Sequence, residues 1–196
     1  EMLRDFLKRF DDMGADLRRL TRTFLDDYSV NERLRDVGFL TKEQALSLGA
    51  VGPMLRASGV CYDVRKTGYA AYSDLEVEPV ISTIGDSYAR CQVRIGELFQ
   101  SLDLIRQIGE KMPAGPIAVP VKGNPEGEFF MRCEQPRGEA VYYVRANGTK
   151  FLDRTRVHTP TFANIPAMLQ TLKGSQLADV PLLILTIDPC ISCTER

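Results

Sequence analysis

Apolar side chains recur along this chain with two different periods. From residue 2 to about 28, Leu3, Phe6, Leu7, Phe10, Met13, Leu17, Leu20, Phe24 and Tyr28 follow three- and four-residue steps. This spacing predicts one amphipathic helix of about 27 residues. Arg4, Lys8, Asp12, Arg19 and Asp26 take the other face, as on a helix packed against a neighbour with a solvated back. A second long stripe runs through Tyr88, Cys91, Ile95, Leu98, Phe99, Leu102, Ile105, Ile108 and Met112. Asp86 after Gly85 supplies an N-cap and Pro113 a stop, so a helix of roughly 40 Å is expected there. Cys91 falls on its apolar face and reads as a small core residue.

Between the two stripes, Thr41-Lys42-Glu43-Gln44 spells a capping box. The helix it opens is short, because Gly49 and then Gly52-Pro53 end it. Residues 52 to 72 are rich in glycine and charge. Arg56, Asp63 and Arg65 sit there among small and apolar residues, which points first to ion pairs that fix a loop and second to a role at a site.

Beyond residue 112 the period shortens. A Pro/Gly-rich connector (113–127) leads to Phe129 to Cys133, Ala140 to Arg145 and Phe151 to Val157, three short strands with turns at Pro136-Arg137-Gly138 and Asn147-Gly148. Cys133 reads as a packed strand residue. Two helices should close the chain. One lies near Thr161 to Lys173, ended by Gly174, with Pro166 leaving its start open; the other runs from about Asp179 to Ile187, although so short an apolar run also fits a strand. The fold class is therefore mainly α (α+β): long helices with a small antiparallel sheet inserted before the last two helices. Its parts are a helical region (1–112), the connector (113–127), the sheet (128–158) and the closing helices with a cysteine-bearing tail (159–196), the candidate metal-binding segment.

Composition narrows the function. With 25 Lys and Arg against 26 Asp and Glu, the chain lacks the basic excess of a nucleic-acid binder. Its longest apolar run, Val180 to Ile187, is far short of the ~20 residues that cross a bilayer, and no leader pattern opens it. Membrane association is expected only through partners. Five cysteines at 61, 91, 133, 190 and 193 do not resemble a secreted disulfide framework, and a reducing cytoplasm suits them better. His158 is the only histidine, which leaves little support for a Ser-His-Asp or H-E-x-x-H site. The chain opens at Glu1 within a helical pattern and reads as a fragment of something longer.

The most informative stretch is the last. Cys190 and Cys193 stand three residues apart after Asp188-Pro189, close enough to grip one metal edge or close a small disulfide. By spacing alone, metal binding and a plain pair of structural thiols stand level, with a redox pair behind them. A metal of this softness wants four such ligands.

The full nonapeptide, D-P-C-I-S-C-T-E-R (188–196), closely resembles the C-terminal motif of the large subunit of membrane-bound, energy-converting (Ech-like) nickel-iron hydrogenases. Further segments resemble, in order, the related quinone-site catalytic subunit of respiratory complex I: G-P-M-L-R-A-S-G-V (52–60), G-D-S-Y-A-R-C-Q-V-R-I-G-E (85–97), E-Q-P-R-G-E (134–139) and K-G-S-Q-L-A-D-V (173–180). The complex I subunit does not keep the cysteine pair, so the ending puts the chain on the hydrogenase side.

That resemblance implies an oxidoreductase subunit that reduces protons to dihydrogen, reversibly. Electrons would come from ferredoxin through an iron-sulfur small subunit, and membrane subunits would pump ions. The subunit would lie peripherally on the cytoplasmic side of the membrane. The implied cofactor is a nickel-iron centre, its iron carrying CO and cyanide. Cys190 would be a terminal nickel ligand and Cys193 a thiolate bridging nickel and iron, and a terminal thiolate can accept a proton when dihydrogen splits. An upstream C-x-x-C should give the other two ligands. None precedes residue 190 here, so this fragment alone is expected to be metal-free or poorly occupied. Many relatives end the motif in histidine beside a magnesium ion, and Arg196 in that place puts magnesium in doubt. Around the metals, Arg137, Thr161, Asp188 and Arg196 are the supporting candidates. T-P-T-F-A-N-I-P (159–166) matches a loop expected beside the iron's diatomic ligands, and Pro166-Ala167 stands where related enzymes place a guanidinium over the metals. Arg137 alternatively pairs with a nearby acid such as Glu134. The rival functions are a complex I-like quinone-site subunit with structural cysteines, and a small zinc- or disulfide-binding module.

Overall fold

A computed structural model describes residues 2–195; Arg196 lies outside them. Two long helices, α1 (Met2–Asp26) and α5 (Ser87–Lys111), lie together, with short helices between them in sequence: α2 (Tyr28–Leu34), α3 (Lys42–Ser47) and α4 (Pro53–Arg56). Single 3-10 turns at Val64–Thr67 and Tyr72–Asp74 lead into α5. The sheet follows as β1 (Glu126–Gln135), β2 (Gly138–Asn147) and β3 (Leu152–His158). Then come α6 (Pro160–Leu172), a 3-10 turn (Leu177–Asp179), α7 (Val180–Leu185) and α8 (Ile191–Thr194). The helical fold with a small antiparallel sheet is the expected class. Three helices rather than two follow the sheet.

Local signals explain most boundaries. The Thr41–Gln44 capping box is formed in both directions, and the Asp86 carboxylate accepts the Ala89 N–H at 2.7 Å to start α5. The predicted single helix to residue 28 divides at Asp27, whose side chain accepts from Val30 and opens α2. Asn31 ties the break together by donating to the carbonyls of Leu25 and Asp27.

Helix period located the long helices but not their buried faces. α1 does pack on α5: Leu7 presses on Gly109, and Arg106 pairs with Asp11 at 2.6 Å. Even so, Phe6 and Leu20 remain 49% and 59% exposed. On α5 the first turns are enclosed on nearly all sides (Ser87, Tyr88, Ala89, Arg90, Val93), whereas Leu98, Ile108 and Met112 of the predicted stripe are exposed. Ser87 and Arg90 tolerate burial because their polar atoms find partners. The Ser87 hydroxyl donates to the Val37 carbonyl. Arg90 donates to the Gly38 and Gly85 carbonyls and to the Thr186 and Ser87 hydroxyls. Cys91 is half-buried, not fully enclosed, and burial pushes its thiol up.

The main apolar core joins α3, α4, α6 and the segment just after α7 through Leu40, Ala45, Met54, Leu55, Ala167 and Ile187. The sheet is a meander in the order β1-β2-β3. β1 and β2 pair from Glu126↔Asn147 to Gln135↔Gly138, around a two-residue turn, Pro136-Arg137. All three strands run longer or start slightly elsewhere than their apolar runs indicate, because ladder hydrogen bonds continue through polar residues. The outer part of β1 is exposed throughout.

Residues 159–166, read from the resemblance as a loop, instead form the first turns of α6. Pro160 sits in the first turn, where its missing N–H costs nothing, and Pro166 is accommodated inside the helix. α7 is a helix, with Pro181 in its first turn. No described helix is long and apolar enough to cross a membrane.

Candidate functional site

The tail that carries the two cysteines is held by α5, by the β1–β2 turn and by the start of α6. Asp188 adopts a left-handed backbone (φ 54°), a conformation aspartate tolerates better than most residues. It reverses the chain after α7 and sets Cys190 as the N-cap of the one-turn α8. Within that turn the Cys190 carbonyl accepts the N–H groups of Cys193 and Thr194, each at 3.1 Å.

Arginines secure the approach. Arg94 of α5 donates to the carbonyls of Thr186 (3.1 Å) and Ile187 (2.7 Å). Arg90 donates to the Thr186 hydroxyl at 3.0 Å. Arg90 has no hydrogen-bonded acid among the described residues, and burial pulls its guanidinium down to about 10; burial likewise lowers Arg94. Arg137, in the β1–β2 turn, donates to the Asp188 carbonyl and pairs with its carboxylate at 3.3 Å. This corrects the alternative pairing of Arg137 with Glu134, because Glu134 instead accepts Arg56 at 2.8 Å.

Two threonines at the start of α6 complete the clasp. The Thr161 hydroxyl accepts the Cys190 N–H at 3.3 Å, and the Thr159 hydroxyl donates to the Cys193 carbonyl. Thr159 therefore serves the tail and leaves its own helix without a side-chain cap. Asn164 carries no sign of its role in the sequence. Fully buried, it accepts the Val51 N–H at 2.9 Å and donates to the Val51 and Arg137 carbonyls. It thereby fixes the arginine turn against the segment before α4.

Cys190 and Cys193 are thus brought together with Arg137, Thr161 and Asp188. Arg196 lies outside the described residues. Both thiols are half-buried, and the tail borders two clefts, one reached by Asp188 and one by Thr194 and Glu195. The Cys190 thiol is lowered to about 7, first by the Ser192 hydroxyl (3.2 Å), then by the backbone and thiol of Cys193, with the positive Arg137 contributing. Cys193 moves the other way, raised by burial and by the neighbouring Cys190. One thiol is therefore disposed to ionise near neutral pH while its neighbour keeps its proton.

Two soft donors three residues apart on one turn fit one half of a four-thiolate centre. No third histidine, cysteine or acid completes a metal-holding group among the described residues. His158 does not join them. It ends β3 and meets the Phe162 ring edge-on at 6.2 Å.

Away from the tail, Arg56 is fully buried within three carboxylates: Glu97 at 2.6 Å, Glu134 at 2.8 Å and Asp63 at 3.6 Å. Arg65 closes on Asp63 at 2.6 Å. The expected loop-fixing ion pairs are present, enlarged by Glu97 and Glu134 from α5 and β1.

The whole length of the sequence matches one family model, the 49 kDa subunit of respiratory-chain NADH dehydrogenase, over residues 1–124 and 121–196. The chain belongs to that family. It is 39% identical over 194 residues to a carbon monoxide-induced hydrogenase of Rhodospirillum rubrum, covering 97% of this chain and 54% of the relative. It is 38% identical to the alpha subunit of the membrane-bound hydrogenase of Pyrococcus furiosus (100% and 49%), and 34% identical to an NADH-quinone oxidoreductase subunit of Syntrophobacter fumaroxidans (100% and 53%). A chain of the archaeal membrane-bound sulfane sulfur reductase, a respiratory membrane complex, superposes with a TM-score of 0.91 at 32% identity, over 99% of this chain and 55% of that one. The chain thus spans about half the length of its relatives. They are oxidoreductase subunits, two of them from membrane-bound complexes.

Proposed function

We propose that this chain is the thiolate-bearing portion of the catalytic subunit of an energy-converting nickel-iron hydrogenase. The observation that carries the reading is the clasped pair Cys190/Cys193, held by Thr159, Thr161 and Arg137, with Cys190 lowered toward ionisation. Relatives named as hydrogenases at 39% and 38% identity support it. In this reading Cys190 and Cys193 would hold the nickel-iron centre as thiolates, and two further thiolates would come from polypeptide beyond this chain. When bound, the centre supplies soft metal ions that polarise dihydrogen.

The chain's own residues prepare that place. The left-handed Asp188 and the Arg94, Arg137 and threonine contacts fix the turn before any metal arrives, so little ordering cost remains for binding. Arg137 adds positive potential beside the sulfurs and favours their thiolate form. In the assembled complex, electrons would pass between ferredoxin and this site through an iron-sulfur small subunit, and membrane subunits would use the energy to move ions. The subunit would sit peripherally at the cytoplasmic face.

Nickel and iron analysis of the full-length assembled protein, with infrared bands for bound CO and cyanide, tests this reading. Both metals and both band types are expected. An active assembly without nickel would overturn it and favour a quinone-site subunit with structural cysteines, which the family model and the NADH-quinone oxidoreductase relatives also support. Zinc alone at the tail would mark a structural metal module.

A further inference from the structure

A cleft of about 440 Å³ lies between α5, the end of β1 and the tail turn. Arg65, Arg94, Glu97, Ser101, Glu134 and Asp188 are among its walls. It has room for on the order of ten waters. Asp188, two residues before Cys190, lines it, as do exposed Ser101 and Leu98. Glu134 and Glu97 line it as well, both bonded to the Arg56 guanidinium.

Among the groups bonded to Arg56 and Arg65 charge does not balance, although Glu97 also faces a third cation, Arg94, in the same cleft. Arg56 and Arg65 are two cations, and Asp63, Glu97 and Glu134 are three carboxylates. Buried like charges that outnumber their partners favour retention of a proton. Of the three, Asp63 is the best served, since two guanidinium groups and the Arg65 N–H bond it. Glu134 is the least solvated of the two that line the cleft, its side chain 5% exposed against 12% for Glu97. It faces Arg56 and Asp63, accepts the Val64 N–H at 3.4 Å, and its own N–H donates to the Tyr69 hydroxyl. Burial raises its carboxyl, with Asp63 adding to the rise and Arg56 opposing it.

We propose that Glu134, with Glu97, relays protons through this cleft between the cysteine turn and solvent. The inference rests on the hydrogenase reading above. During dihydrogen oxidation, cleft water accepts the proton released at the cysteine turn. An O–H bond of that protonated water then breaks as one forms on the Glu134 carboxylate, leaving neutral water. Glu134 then gives the proton to water or to Glu97 and becomes a carboxylate again. The two electrons from each dihydrogen leave through the iron-sulfur partner, which is reduced, so the relay carries protons only. Proton reduction runs the same steps backwards.

Glu134→Gln in the assembled enzyme is the test, with Glu134→Asp as its companion. Gln keeps a hydrogen bond to Arg56 and brings the cluster to two cations and two carboxylates, so metal content and the urea midpoint should hold or rise. Exchange of dihydrogen with solvent deuterium should fall about 100-fold, and Glu134→Asp should recover part of it. Isotope-edited infrared difference spectra taken during turnover should show a glutamate carboxyl that gains and loses its proton, a signal that Glu134→Gln removes. Wild-type exchange in the Gln variant, or an infrared spectrum it leaves unchanged, overturns the relay alone. A wild-type assembly without nickel or dihydrogen exchange would instead overturn the hydrogenase reading, and the relay with it. A variant that loses both metal and fold would assign Glu134 a structural role and also overturn the proposal.

Discussion

Gly52 and Gly138 meet backbone to backbone: a methyl group built on Gly52 would stand 2.2 Å from the Gly138 α-carbon. The contact joins the start of α4 to the β1–β2 turn that carries Arg137, and both glycines have positive φ (63° and 131°). Any larger side chain would meet peptide atoms, which cannot swing aside. Gly138→Ala and Gly52→Ala should therefore each cost about 3 kcal/mol or more, through combined clash and backbone strain. Urea denaturation measures this. Gly123→Ala, also at positive φ but with open space around it, should cost clearly less.

Cys190 should alkylate with an apparent midpoint near 7 in the metal-free chain, well ahead of Cys193. A lowered thiol pKa means more thiolate at neutral pH, hence faster reaction. Ser192→Ala should move the midpoint upward most, since its hydrogen bond is the largest influence, and Arg137→Ala less. Rates of iodoacetamide reaction across pH give the order. An unshifted midpoint in Ser192→Ala would remove the basis for the ionised Cys190.

Arg56→Met should destabilise the fold by roughly 3–5 kcal/mol, because it leaves three carboxylates without their shared cation. The same cluster sets an acid limit. Asp63 is raised by burial but pulled further down by Arg65 and Arg56, so its net shift is downward. Its contribution is complete above the unfolded value, ~3.9, and is lost as pH falls through the lower folded value. Glu134 is shifted upward, so its ionisation disfavours the native state at neutral pH and mild acid relieves that. Stability against urea should hold or rise on mild acidification and fall steeply only below the ordinary aspartate range. A monotonic loss from neutral pH downward would contradict this pairing.

Asn164→Ala should cost about 1–3 kcal/mol by leaving the Val51 N–H without an acceptor. The loss should also loosen the Arg137 turn. Amide exchange at Val51 and across 136–138 should accelerate, while α1 should not change. Asn164→Asp keeps the acceptor but removes the donor facing two carbonyls, and should be no milder.

Much of the fold was legible along the chain because its signals are local. Helix period, the Thr41–Gln44 box and the Asp86 cap each act within a few residues, and each stands in the structure. The Asn147-Gly148 signal marks the right reversal but not its width, because Asn147 still belongs to β2 and the chain turns over residues 148–151. The cysteine pair could be read the same way, as could the ion pairing of Arg56, Asp63 and Arg65. What folding in three dimensions decided is which distant groups meet. Long guanidinium side chains choose among acids and carbonyls that only chain crossings bring near, so Arg137 found Asp188, 51 residues away, and left Glu134 to Arg56. Asn164 and Gly138 look ordinary in sequence. They matter because the hairpin turn, α4 and α6 converge where only a buried amide and a bare α-carbon fit. Burial of a helix face depends on what covers it, and period alone carries no information about the covering element.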